Sequence, residues 1–167
     1  MLVRSRLAVV AGILLLPLTA AGAYAAGQGS GDDAPPTAVR EVLAQVDDPA
    51  GAKGRTLALS RVTIPPRTAL ALHRHPGNQI AYIQRGTLTY TVRSGVVSVY
   101  RGPADGSARL VRKVRPGQTG VVRRGEWVVE RPGDVHFGAN RGSGRVVILL
   151  ATLFRKGAPA SIEVPEG

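Results

Sequence analysis

The chain of 167 residues has no cysteine, which excludes disulfides, thiolate metal sites and cysteine nucleophiles together. Aromatic residues are scarce, with four Tyr, two Phe and one Trp. Acidic residues are half as numerous as basic ones, 11 against 22, for a formal net charge of +11. Such a balance invites an acidic or nucleic-acid partner. Here the basic residues are scattered along the chain and no recognition motif accompanies them. A solvated, arginine-rich surface is therefore expected, with no nucleic-acid partner; its positive potential would still attract small anions. No long helical periodicity is present, whereas glycine (21) and proline (12) are abundant. That composition favours a single all-β domain with many turns.

Long apolar runs are also missing, except at the start. Arg4 and Arg6 precede an apolar stretch from Leu7 to Ala21, and Ala23-Tyr24-Ala25 follows. A basic region, an apolar region and an Ala-x-Ala exit describe a secretory signal over residues 1–25. The alternative is an uncleaved anchor, because Leu7 to Ala26 is about long enough to span a bilayer; Pro17 and the small residues that follow argue against it. Either way the domain is expected outside the cytoplasm. Losing Arg4 and Arg6 with the signal lowers the charge from +11 to +9.

Residues 26–54 read as a tether and barrel entrance, with Ala38 to Val46 open to either a short helix or a strand. From Arg55 the texture is β: about ten short segments of alternating polarity, each bounded by glycine or proline. Arg85-Gly86 is a tight turn that needs glycine's freedom. Residues 101–108 form a protruding hairpin loop, and residues 156–167 an extended tail or edge strand. Short strands at regular spacing indicate a double-sheet jelly roll over residues 55–155. No repeat is detectable, so one barrel is expected rather than two.

All three histidines fall in two clusters, His73-Arg-His75-Pro-Gly-Asn-Gln79 and Gly133-Asp-Val-His136-Phe-Gly-Ala-Asn140. On a strand, residues i and i+2 project from one face, so His73 and His75 would point the same way. A third imidazole from a later strand and one further donor would complete a cage for a divalent ion. Such a site would accept zinc, iron(II), nickel, manganese, cobalt or copper.

These clusters resemble the two motifs of the cupin superfamily, in its small single-domain form. The first motif, G-x5-H-x-H-x(3–4)-E-x6-G, maps onto Arg67, His73, His75, Gln79 and Gly86. The second, G-x5-P-x-G-x2-H-x3-N, maps onto Gly125, Arg131, Gly133, His136 and Asn140. The resemblance covers residues 55–155 and implies a double-stranded β-helix, or jelly-roll barrel, with His73, His75, Gln79 and His136 as metal ligands. Asn140 would order the turn after the last ligand strand. Arg67 and Arg131 depart from the motifs' glycine and proline, and Gln79 stands where the family has glutamate. A neutral amide there would leave the ion's full dipositive charge in the site, which suits Lewis-acid chemistry.

Among the other residues, Tyr90 shares parity with Leu88 and Val92 and would reach the cavity or pack as core. Tyr82 has the opposite parity to Gln79 and would face outward, and Asp134 reads as an exposed turn aspartate. No inward pair of carboxylates and no Ser-His-Asp set is expected. The function implied is a metal-dependent enzyme on a small molecule, of dioxygenase, isomerase or lyase type. The alternatives are a non-catalytic small-molecule-binding module and a structural barrel with a vestigial site. A homodimer is the oligomer that the resemblance suggests.

Overall fold

The computed structural model describes residues 36–103 and 105–165, and every regular element among them is a β-strand. The signal segment and most of the tether lie outside the described residues. The strands are β1 (Val39–Asp47), β2 (Arg55–Ile64), β3 (Thr68–Ala69), β4 (His73–Arg74), β5 (Gly77–Arg85), β6 (Thr87–Ser94) and β7 (Val97–Arg101). They continue as β8 (Arg109–Val114), β9 (Thr119–Arg123), β10 (Glu126–Glu130), β11 (Val135–Asn140), β12 (Val146–Arg155) and β13 (Ile162–Glu163). Two antiparallel sheets result. One runs β1-β2-β12-β5-β10-β7-β8 and the other β13-β4-β11-β6-β9, with β3 also paired to β11. This is the jelly-roll barrel expected.

Alternation along the strands builds the core. Ala81 and Ile83 on β5, Leu88, Tyr90 and Val92 on β6, and Ile148 and Leu150 on β12 all turn inward and are buried. Fully burying one such aliphatic side chain is worth roughly 1.5–3 kcal/mol. The opposite parity leaves Leu57, Leu59, Ile80 and Tyr82 exposed on the outer face of the larger sheet, so Tyr82 faces outward as its parity required. The ambiguous segment before Asp47 is a strand: β1 pairs with β2 from Val39↔Thr63 to Asp47↔Thr56. Backbone hydrogen bonding to an open sheet edge outweighed its helical spacing.

The turns bear on several of these positions. Gly86 holds φ at +81°, and a Cβ there would press within 3.0 Å of the Arg145 carbonyl. Arg67 keeps the same left-handed region without being glycine, at φ 56°, a conformation that L residues adopt at a cost. Asp134 is not the exposed aspartate that its turn suggested. It is 8% exposed, fills the space beside Gly95 that a Cβ would occupy, and accepts a bond from the Arg131 N–H at 2.8 Å. Asn140 meets its expectation: its side-chain nitrogen donates to the carbonyls of Ile64, Pro65 and Gly144, and its oxygen accepts from Gly142 N–H.

Candidate metal centre

Two cross-strand pairs, one from each sheet, face each other inside the barrel. His73 on β4 lies opposite His136 on β11, while Gln79 on β5 lies opposite Glu130 on β10. His75 follows directly after β4. The potential ligand atoms of His73, His75 and His136 all lie within 4.8 Å of one another. Two donors on opposite sides of one ion stand about 4 Å apart, so the three lie near, though wider than, the spacing of donors around one ion.

Backbone carbonyls orient two of the rings. His73 Nδ1 donates to the Ala71 carbonyl at 2.7 Å, and His75 Nδ1 donates to the Ala160 carbonyl at 3.0 Å. With Nδ1 bonded to a carbonyl, each Nε2 is turned inward, which is how metal-binding histidines are usually prepared; that of His75 meets the Gln79 amide nitrogen at 3.1 Å. His136 stacks against Tyr90, with ring centroids 5.0 Å apart, and its Nδ1 is buried without a hydrogen-bond partner.

The electrostatics favour the unprotonated ring. Burial holds His73 down at about 4. Burial also lowers His136, against the opposing pull of the Glu130 carboxylate. Metal ligands must be deprotonated, so these rings are ready at neutral pH.

Glu130 is the residue that the sequence reading missed. It is 3% exposed. Its Oε1 accepts from the Tyr90 hydroxyl at 2.8 Å and its Oε2 from Gln79 Nε2 at 2.5 Å. Oε2 lies 3.2 Å from His75 Nε2 and Oε1 lies 3.3 Å from His136 Nε2. Burial alone would raise its pKa, but His136, His75 and the Tyr90 hydroxyl outweigh burial and hold the carboxyl at about 2. The expectation of no inward pair of carboxylates is therefore overturned, since Glu126 on the same strand is buried as well. One signal was available. Between residues 55 and 155 the only acids are Asp105, Glu126, Glu130 and Asp134, so two of a scarce type share one short strand.

Gln79 reaches the site, as the motif implied, but it turns its amide nitrogen toward Glu130 and, at 3.1 Å, toward His75 Nε2. Its Oε1 is buried with no hydrogen-bond partner. Tyr90 is core, 2% exposed, and supports the site from behind. Burial, then the Glu130 charge, raises its pKa, so the hydroxyl stays protonated and donates. The donor set fits a divalent ion: three imidazoles, two with Nε2 turned inward, around a buried carboxylate.

A cavity of about 260 Å³ opens onto His73, His75, Gln79, Glu130 and His136. Its apolar wall includes Val62, Leu70 and Leu150, and its polar wall includes Arg40 from β1 with Ser161 and Glu163 near the end of the chain. Arg40 is steadied by the Ser60 hydroxyl at 3.2 Å.

No family model and no curated protein matches this chain. Among solved structures it is similar to a cupin superfamily protein from Desulfitobacterium hafniense, at 16% identity and a TM-score of 0.47 over 71% of this chain and 78% of that one. A cupin-like protein from Thermotoga maritima is similar at 16% identity and TM-score 0.49, over 77% of each chain. A variant of oxalate decarboxylase from Bacillus subtilis is similar at 23% identity and TM-score 0.44, over 65% of this chain and 24% of that one.

Proposed function

We propose that this protein is an exported single-domain cupin that holds a divalent metal ion inside its barrel and acts as a metal-dependent enzyme on a small molecule. The reaction would be of dioxygenase, isomerase or lyase type. The observation that carries this reading is the convergence of all three histidines on one cavity, two with Nδ1 tied to backbone carbonyls.

His73, His75 and His136 would hold the ion, with a fourth donor from the facing Gln79–Glu130 pair. The ion supplies Lewis acidity in a pocket of low polarity. The chain's own residues do the rest. Ala71 and Ala160 lock the ring orientations, and Tyr90 fills the space behind His136 so that the ring cannot swing away. Val62, Leu70 and Leu150 keep the cavity wall dry. A volume of about 260 Å³ is below the range of drug-sized pockets, which suits a substrate of few heavy atoms. Arg40 offers such a molecule a charge-assisted contact for a carboxylate or similar anion.

Elemental analysis of protein purified without an affinity tag tests the metal-binding reading. About one equivalent of divalent ion per chain is expected, falling to a trace in His136→Ala. Wild-type protein that leaves metal-replete medium empty and takes up none on titration would sink it. Turnover is tested separately, by oxygen uptake of the iron-loaded protein with small phenols and diketones and by product analysis under each candidate metal. Silence throughout would leave a binding module in place of an enzyme.

A further inference from the structure

We propose that Glu130, not Gln79, supplies the oxygen ligand of this centre, and that Gln79 is the residue that positions it. The inference rests on the metal-binding reading above. The motif places the oxygen ligand at position 79 on β5, but this chain carries an amide there. Its carboxylate stands directly across the ladder, on β10, because Gln79 and Glu130 are register partners.

Three observations converge. First, the Glu130 oxygens lie 3.2 and 3.3 Å from the Nε2 atoms of His75 and His136. Charge-assisted N–H···O bonds are shorter, at about 2.7–2.9 Å. Donors bonded to one ion at about 2.1 Å stand about 3.0 Å apart around an octahedron and about 3.4 Å apart around a tetrahedron. The separations of 3.2 and 3.3 Å fall between these two edge lengths.

Second, the His75 Nδ1 bond to the Ala160 carbonyl turns Nε2 inward, where Glu130 Oε2 lies 3.2 Å away and the Gln79 amide nitrogen 3.1 Å away. Among the described residues no lysine or arginine lines this cavity apart from Arg40, whose side chain bonds Ser60 instead.

Third, the Gln79 amide is oriented by Glu130. At 2.5 Å from Oε2 the facing atom has to be the nitrogen, since a carbonyl oxygen there would meet the carboxylate head on. An amide NH2 has no lone pair to offer a metal, but it fixes one carboxylate oxygen while the Tyr90 hydroxyl fixes the other. Such outer partners orient a ligand and tune its basicity. The negative charge that the amide at position 79 seemed to remove is thereby returned from the neighbouring strand.

The closing experiment pairs a zinc-loaded crystal of the wild-type protein with zinc and cobalt titrations of two variants. In the crystal, a Glu130 oxygen within bonding distance of zinc is expected, with the Gln79 nitrogen still on the carboxylate. Glu130→Gln should weaken zinc at least 100-fold, measured by competition with a chromophoric chelator, and should alter the visible absorption of bound cobalt(II). Gln79→Ala should weaken zinc about tenfold and leave the cobalt spectrum unchanged. Gln79 Oε1 on the zinc with Glu130 outside bonding distance would overturn the proposal. So would a Glu130→Gln protein, folded by circular dichroism, that binds zinc like the wild type. Both results leave the metal centre standing; only a wild-type protein that binds no metal removes it, and this assignment with it.

Discussion

Glu126 and Glu130 lie four residues apart on β10, point into the same barrel interior and are equally hidden from water, yet their surroundings differ in kind. Glu126 is neutralised. Arg112 reaches it with both guanidinium nitrogens at 2.9 and 3.3 Å, Arg101 at 2.7 Å, and the Arg123 N–H at 2.8 Å. Arg112 Nη1 also donates to the Val121 carbonyl, which ties β8 to β9. Glu130 receives only neutral donors, an amide and a phenol, and otherwise faces imidazole nitrogens. A buried carboxylate with permanent cations holds a fold together; one without them is free to meet a cation from outside. One strand thus carries a structural charge at one end and a reactive one at the other.

The largest effect should come from separating the two by mutation. Glu126→Ala leaves the part-buried Arg112 and the half-exposed Arg101 without their carboxylate, and denaturant unfolding should show a loss of about 3 kcal/mol, the low end for a buried pair. Glu130→Gln, measured without metal, should cost markedly less, because it leaves no arginine or lysine without its partner. Equal losses at both positions would erase the distinction.

Acid should act next, and through Glu126. Burial opposes ionisation there, but Arg112, the Arg123 N–H and Arg101 hold the carboxyl at about 2, below its ordinary 4.5. A depressed carboxyl stabilises the folded state above the unfolded pKa and loses that contribution as pH falls through the folded one. Stability should therefore decline between about pH 4.5 and 2. In Glu126→Gln this part of the acid limb should flatten, whereas a limb of unchanged steepness would remove Glu126 as its source.

The smallest effect sharpens the other end of the strand. Tyr90→Phe takes one hydrogen bond from Glu130 and none from Glu126, and should cost about 1.5 kcal/mol by thermal or chemical melting. A variant as stable as the wild type would mean that the hydroxyl is not needed to hold the carboxylate.

Much of this was legible in the chain itself. Strand alternation and glycine turns marked the barrel, and the two histidine clusters marked the face on which the site lies. What stayed hidden has physical reasons. In Glu126-Trp-Val-Val-Glu130, Val128 points inward with both glutamates. Pairing to β5 and β7 decides that parity, and local hydropathy cannot see it. Trp127 instead stacks on Tyr100 at 4.6 Å and donates to the Gly102 carbonyl. His73 and His75 were read on one strand, but β4 ends at Arg74, and Leu70 to Leu72 separate it from β3. That break lets the Ala71 carbonyl turn to His73. Nor could spacing reveal a bond between His75 and Ala160, 85 residues apart.

That last contact joins two duties in one short piece of chain. Ala160 grips the His75 ring, Ser161 and Glu163 form part of the cavity wall, and Ile162 and Glu163 pair with the strand that bears His73. Any guest that presses on this wall also tugs on the strut behind the His75 ring. Occupancy of the cavity and the poise of the histidine cluster would then report on each other through three consecutive peptide units, with no hinge or moving domain required.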